Sequence, residues 1–427
     1  MQSVAVRIIC DREAEIEAFV PEEFWTIAAN LFDSSKNHEF EAKYFGKDGK
    51  KQKVENKQQS DEVLAGIKGK DFVIDAIKKG TKKKNSAPPF TTSYLQQAAS
   101  SKLGFTARRT MLIAQQLYEG VEIKGSGAVG LVTYIRTDST RVSEDALTEV
   151  RAHIEKEYGK EYLPEKPRYF KKSKKAQDAH EAIRPSYMEY TPESLKSTLT
   201  KDQYKLYKLI YSRFVASQMN PSQYETMSVT LDAGGYTFKA SGSRQLFKGY
   251  TAAYMAADEQ TKDNILPKLH EGEVCPLKSV IPKQNFTQPP SRYNEASLVR
   301  ALEEKGIGRP STYAPIISTI QDRRYIEKEG RNLKPTFLGG VVNDLMKANF
   351  ADIVNVEFTA ELENKLDDIE NGGKEWKRLL AEFYGPFEKT LEDGYANIER
   401  VVLPIKESDV ICEKCGKTMI YKDGRFG

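Results

Sequence analysis

The sequence has no run of about 18 apolar residues, so nothing in it reads as a membrane span. Four cysteines in 427 residues are too few for a disulfide framework, which favours a reducing, cytoplasmic setting. The start, MQSVAVRIICDREAE, turns charged too early for a signal peptide. None of the glycines forms a phosphate-cradling P-loop, so nucleotide hydrolysis is not indicated. The net charge is only +4, and bulk charge therefore does not announce a polyanionic partner. There are only four histidines.

What is present is a soluble composition, 39% hydrophobic and 30% charged, long enough for two to four domains. Basic residues cluster locally. KKGTKKKNS runs from Lys78 to Ser86, and KPRYFKKSKK from Lys166 to Lys175, the latter interleaved with Tyr169 and Phe170. Such runs suit either a solvated loop or a phosphate backbone.

Val4–Ala18 has helical spacing, and FWTIAANLF, EFEAKYFG and DFVIDAI read as strands. Lys47–Glu62 is polar and reads as a loop or hairpin tip. NSAPPFTTS (Asn85–Ser93) is a linker. Ser93–Tyr118 is helical, and Ser143 suits the N-cap of a helix whose apolar stripe is Leu147, Val150 and Ile154. His153 falls off that stripe and is expected to be exposed. TPESLKSTLTKDQYKLYKLIYSRFVASQM reads as two helices, and ETMSVTLDAGGYTFKASGS as a hairpin. Near the end, NEASLVRALEEKG (Asn294 cap, Gly306 stop), STYAPIISTIQDR and RYIEKEGRNLKPT give the helix–turn–helix–hairpin outline of a winged helix.

GLVTYIRTDST places Tyr134 and Arg136 two apart in a strand-like run, so both face one way. A phenol with a pKa of about 10 is a poor nucleophile at neutral pH. A neighbouring guanidinium can hold a phosphodiester and offset the charge that builds during attack. AQDAHEAIRPS places His180, Glu181 and Arg184 within about one helical turn, with His180 and Arg184 on one face. GIGRPSTYAPIISTIQDRRY sets Arg309, Ser311 and Thr312 around a helix start, where backbone N–H groups favour phosphate.

Six segments in order, PPFTTSYLQQAASSKLGF, AQQLYEG, GLVTYIRTDST, AQDAHEAIRPS, EASLVRALEEKGIGRPSTYAPIISTIQDR and FTAELENKLDDIENG, resemble the type IA topoisomerases, the family of bacterial DNA topoisomerase I. The resemblance implies a multidomain α+β, toroid-like core with helical, winged-helix-like DNA-binding domains and a strand-rich arch. Residues 1–37 and 288–404 would form a helical base, 38–87 and 220–287 the arch, 88–219 the domain carrying the nucleophile, and 405–427 the start of a zinc ribbon. Tyr134 would attack one DNA strand to form a 5′-phosphotyrosyl link, with Arg136 positioning the phosphate. Strand passage and religation would then relax negative supercoils without ATP. Gln115, Glu119, Thr133, Asp138, His180, Arg184, Arg309, Ser311, Thr312 and Arg323 would bind DNA or organise the site. The partner would be DNA, preferably single-stranded or negatively supercoiled, for a monomer in the cytoplasm at the nucleoid.

Two departures stand out. The family's Toprim domain, whose carboxylates bind Mg²⁺, precedes the segment matched by MQSVAVR, and the sequence is expected to lack it and to be impaired alone. Asp11, Glu13 and Glu15 do not share one helical face and are a poor substitute. Cys412 and Cys415 have the spacing of half a zinc site, while structural Zn²⁺ wants four ligands, so no tightly bound ion is expected. Cys10 and Cys275 read as core residues. A non-catalytic single-strand-binding module is the alternative. A tyrosine recombinase fits less well, because there the tyrosine follows a His-x-x-Arg and here Tyr134 precedes His180-x-x-x-Arg184.

Overall fold

The computed structural model describes residues 1–170, 180–254, 264–370, 372–373, 375–399 and 407–421. The basic run Lys171–Lys175 and the stretch 176–179 before His180 lie outside the described residues. The chain divides into two units. One comprises Met1–Asp11, Lys305–Ile307 and Thr319–Gly427, and the other Arg12–Glu304 and Gly308–Ser318. Helix α1 (Gln2–Glu17) runs across the first boundary.

In the larger unit, strands β1 (Glu23–Phe32) and β2 (Glu39–Lys47) are followed by the short β3 (Lys50–Lys51), helix α2 (Lys57–Ile67) and the long β4 (Phe72–Lys84). The polar stretch expected to be a loop therefore contains most of α2. Asn56 caps it by accepting from the Gln59 backbone N–H, and Ser60, Val63 and Ile67 supply a buried face at helical spacing. Helices α3 (Thr92–Leu103) and α4 (Ala107–Glu119), the small hairpin β5 (Val121–Ile123) and β6 (Gly127–Val129), and α5 (Glu144–Tyr158) come next. Only the second of the two helices expected around residue 200 forms, as α6 (Lys201–Ser217). Residues 192–198 are turns instead, because Thr191 and Ser194 hydrogen-bond their own backbone and compete with a helix.

Strands β7 (Ser222–Ala233), β8 (Tyr236–Phe247), β9 (Val274–Cys275) and β10 (Leu277–Phe286) complete an antiparallel, eight-stranded sheet. Its order is β10-β1-β2-β8-β7-β4-β9, with β3 on β2. Strand β1, which the sequence division at residue 37 groups with the helical base, is thus bonded on both sides into this sheet. Alternation is the cause of its sidedness. Ile27, Ala29 and Leu31 of β1 are buried with Val229 and Leu231 of β7, while the residues between them point outward. Phe238 is fully buried at the centre, with edge-to-face contacts to Phe72 at 5.1 Å and Tyr44 at 5.6 Å. A second core gathers α3, α4, α5 and α6 around Tyr207, Phe214, Leu95 and Leu117. His153 is half-buried there rather than exposed. Its ring packs edge-on against Tyr211, and burial lowers its pKa. Helix α7 (Glu295–Glu304) follows, with Asn294 capping the Ser297 N–H and Gly306 turning at φ 72°.

Helix α8 (Tyr313–Asp322) also runs across a boundary, and in the smaller unit strands β11 (Ile326–Glu329) and β12 (Asn332–Pro335) form the expected hairpin. Helices α9 (Phe337–Asn349), α10 (Val356–Glu370) and α11 (Trp376–Asn397), and the hairpin β13 (Glu407–Ile411) with β14 (Thr418–Ile420), complete it. Helix α9 sits hard against the base of the β11–β12 hairpin. A Cβ on Gly339 would lie 1.9 Å from the Tyr325 carbonyl oxygen, so only glycine fits.

The aromatic centre of the large sheet yields a stability test. Phe238→Ala is expected to cost about 3–5 kcal/mol, the usual range for emptying a buried phenylalanine site. Chemical denaturation followed through the sheet's far-ultraviolet signal checks this, and a loss below about 1 kcal/mol would show that the site collapses onto Phe72.

Candidate active site

Residues 131–137 lead from the β5–β6 hairpin towards α5 without forming a regular strand, and the chain bends at Ile135 and Arg136. The strand expected there is replaced by one isolated bridge, Val132 to Pro185. What holds the segment is a clamp at each end. On one side the Thr133 N–H donates to the Arg184 carbonyl at 3.0 Å, and its hydroxyl donates to the Ala182 carbonyl at 2.7 Å. The Ser186 N–H returns to the Leu131 carbonyl at 3.0 Å. On the other side Thr92, in the first turn of α3, donates its hydroxyl to the Ile135 carbonyl at 2.7 Å and accepts the Thr137 N–H at 2.9 Å. The chain enters through Gly130, where a Cβ would stand 2.7 Å from the Tyr118 carbonyl oxygen.

Between the clamps the side chains alternate. Ile135 and Thr137 are buried, while Tyr134 and Arg136 are exposed. Both side chains are exposed, and a bend at Ile135 and Arg136 replaces the strand on which the same-side expectation rested. Tyr134 is 38% exposed, with Tyr118 edge-on at 5.7 Å and His180 at 5.0 Å. Tyr118 was not singled out in the sequence, although it lies in AQQLYEG directly before Glu119. Gln115 donates to Glu119 at 2.5 Å, one turn apart on α4 on either side of it. Arg136 has no ion-pair partner among the described residues.

The helix expected at 180–184 does not form, and its i,i+4 face does not exist. The stretch is extended because its backbone is spent on residues 131–133, on Phe90 and on Arg141. Arg184 is committed internally. Its guanidinium donates to Glu181 at 2.8 Å, to the Pro185 carbonyl at 2.9 Å and to Ser143 at 3.4 Å. Arg309, Ser311 and Thr312 gather in a turn before α8, where the Thr312 hydroxyl accepts the Arg309 N–H at 2.8 Å. Arg323 lies in the smaller unit.

A second group of residues was invisible in the sequence. Glu303 of α7 accepts from the Ser93 hydroxyl of α3 at 2.5 Å, and Glu295 of α7 accepts the Ala107 N–H at the start of α4 at 2.7 Å. Burial holds the Glu303 carboxyl above the usual glutamate range. The Ser93 hydrogen bond opposes this, and Asp138 and Glu304 add to it.

No group of three or more metal-ligating side chains occurs among the described residues. The carboxylates near the start are each engaged by a cation. Asp11 meets Arg7 and Lys347 at 3.4 Å, Glu13 takes both ends of the Arg292 fork, and Glu15 meets Arg12 at 2.8 Å. They do not fit Mg²⁺. Cys412 and Cys415 sit at the β13–β14 turn, where backbone N–H groups of Lys414 and Cys415 and the Cys415 side chain hold the Cys412 thiol below its ordinary pKa. That turn fits half of a tetrahedral zinc site. Cys275 is buried, its thiol pushed up to about 12 by burial and then by Glu273 and Asp33.

A protein-family model described as DNA topoisomerase matches residues 1–381. Among solved structures, full-length topoisomerase I from Thermotoga maritima is similar at 39% identity with a TM-score of 0.79, over 100% of this chain and 67% of that one.

The Glu303 environment has a signed pH consequence. Because its folded pKa is raised, its contribution to stability is full below about 4.5 and is lost as pH rises through the raised value. Glu303→Gln keeps the acceptor for Ser93 and removes the charge. Thermal melts from pH 4.5 to 8 are expected to show a smaller fall in Tm for Glu303→Gln than for the wild type. Parallel curves would refute this.

Proposed function

Because this chain belongs to the DNA topoisomerase family and is a type IA topoisomerase by sequence model and fold, we propose that it is the strand-cleaving core, with Tyr134 as nucleophile. The observation that carries the proposal is the exposed phenol on a segment clamped at both ends, with a guanidinium two residues away. In the proposed step the Tyr134 oxygen attacks a phosphodiester. A phosphorus–Oη bond forms and the phosphorus–O3′ bond breaks. The phenolic proton leaves and the departing 3′-oxygen gains one. The 5′ end stays on Tyr134, and the bond energy is kept for religation.

Arg136 supplies positive charge to the phosphate as negative charge builds. The rings of Tyr118 and His180 fix the direction of the phenol, and the fixed Thr133 backbone limits its reach, so orientation is settled before DNA arrives. Arg184 acts by holding residues 180–186 in place. The turn at Arg309, Ser311 and Thr312 offers donors for backbone phosphates. Mg²⁺ would supply electrostatic positioning for religation, and no carboxylates among the described residues are arranged to hold it. In this reading the chain binds single-stranded or negatively supercoiled cytoplasmic DNA, with affinity falling steeply as salt rises.

A 3′-labelled single-stranded oligonucleotide separates cleavage from mere binding. Incubation followed by denaturation is expected to leave label on the protein, mapping to the Tyr134 peptide and absent in Tyr134→Phe. Retention of DNA without any adduct, even with Mg²⁺ and a carboxylate-bearing metal-binding domain added, would favour a non-catalytic single-strand-binding module instead. In a plasmid assay the chain by itself is expected to relax supercoils at least about 100-fold more slowly than with such a domain added, since cooperating catalytic groups lose orders of magnitude when one is missing. Robust relaxation by the chain alone, lost in Tyr134→Phe, would overturn that dependence.

A further inference from the structure

The smaller unit holds a pocket that the cleavage step does not use. It is formed by the end of α9 with the turn that follows, the first turn of α10 and the middle of α11, and has a volume of about 300 Å³. That is the size of a site for a small organic ligand. Four half-buried phenylalanines, Phe350, Phe358, Phe383 and Phe387, line it. Three of the rings form a row. Phe358 stacks on Phe383 at 6.2 Å, and Phe383 on Phe387 at 5.5 Å with the planes 12° apart. Phe383 and Phe387 stand one turn apart on α11, the spacing that brings two side chains together on a helix. Gly394 lets α11 come close to Phe350, since a Cβ there would stand 3.1 Å from the ring.

The charge of the lining has one sign. Asp352 and Glu382 belong to it, and no lysine, arginine or histidine does. Asp352 is exposed, and its carboxylate has no ion-pair partner among the described residues. Glu382 meets Arg378 at 2.9 Å, a contact open to water and therefore weak. The two neutral polar side chains are turned back onto their own helices. The Asn349 amide donates to the Leu345 carbonyl at 2.9 Å, and the Thr390 hydroxyl donates to the Pro386 carbonyl at 2.9 Å. Pro386 has no N–H for the Glu382 carbonyl one turn earlier, so that helical bond is unmade. What the lining chiefly offers a ligand is ring faces and oxygen acceptors. Phosphates are repelled by such a lining, and two carboxylates fall short of the ligand set that a bare divalent cation takes.

We propose that this pocket binds a small organic cation, an ammonium group carried on an aryl or branched alkyl body. The body lies among the phenylalanine rings, and the ammonium lies between a ring face and the Asp352 carboxylate. Ring faces carry the negative lobes of the aromatic quadrupole and attract a cation, most strongly where water is excluded. Asp352 adds Coulomb attraction, which salt screens because the group is exposed. The inference does not rest on the cleavage reading. Tyr134 belongs to the other unit, and a chain that cuts no DNA keeps this site.

The test is a calorimetric titration of the full chain with benzyltrimethylammonium and, separately, with phenylmethanesulfonate, an anion of similar size. The cation is expected to saturate a single site and to bind about tenfold tighter than the anion or better. Asp352→Asn keeps the shape and removes the charge, and Phe387→Leu keeps an apolar wall and removes a ring. Each is expected to weaken the cation about threefold or more, while Glu388→Gln, outside the lining, leaves it unchanged. Equal binding of the two ions, no saturable binding of the cation, or the same loss in Asp352→Asn and Glu388→Gln would overturn the inference. Self-association that Phe387→Leu abolishes and the cation does not would overturn it too, by showing that a second copy covers the pocket. Asp352 lies on the surface, so its variant is expected to fold, and the preference for cation over anion is read on the unaltered protein. Failure here leaves the Tyr134 adduct, and the proposed function with it, standing.

Discussion

The arrangement around Tyr134 depends on one hydroxyl. Thr92 donates to one carbonyl of the 131–137 segment and accepts an N–H two residues further on. It does so from the first turn of α3, where a side-chain oxygen is already suited to orphan backbone groups. With the Thr133–Arg184 contacts at the other end, this removes the freedom of the backbone on both sides of Tyr134. The phenol is left with its own two torsions, and Tyr118 and His180 restrict those. A rigid backbone carrying an exposed side chain is what an oriented attack requires.

Helix α7 extends the same logic through charge. Two of its carboxylates reach the beginnings of α3 and α4, where the helix dipoles favour negative charge. One of them, Glu303, sits near Asp138, four residues past Tyr134. The contact therefore includes buried polar groups, with like charge from Asp138 and Glu304 acting on Glu303. On α3 itself, both polar atoms of the buried Gln96 side chain lack a partner among the described residues. Polar surfaces of this kind separate at lower cost than an apolar core, since water can take over their hydrogen bonds.

Much of this was legible in the sequence, and the failures have specific causes. Capping residues, glycine stops and alternation located α1, α3, α4, α7, α8 and most strands. The alternation of exposed Tyr134 and Arg136 with buried Ile135 and Thr137 was readable from the apolar pattern, whereas the bend at Ile135 and Arg136 was not. The expected helical turn at 180–184 is absent because the fold spends its backbone hydrogen bonds on Phe90, Thr133 and Arg141, distant segments that no local pattern reveals. Helix α2 was hidden by its polar composition, and the burial of His153 by a neighbour, Tyr211, 58 residues further on. The roles of Thr92, Ser93 and Glu303 come only from tertiary contact, which no local pattern shows.

The order of strands in the large sheet has a consequence for how the molecule is made. Strand β1 lies between β2, its neighbour in sequence, and β10, which is paired to it from Glu23 opposite Phe286 onward. During synthesis β1 emerges with one hydrogen-bonding edge satisfied and the other bare. That edge stays open until the ribosome has added some 250 further residues, the separation shown by the Trp25–Gln284 and Thr26–Asn285 contacts. At about 5–20 residues per second the wait is on the order of ten seconds or more. Bare edges template pairing with other chains. The alternating charges of β2, and a β1 edge that carries Asn30 and Thr26, keep the unfinished sheet from offering a purely apolar edge while the nascent chain waits for its last strand.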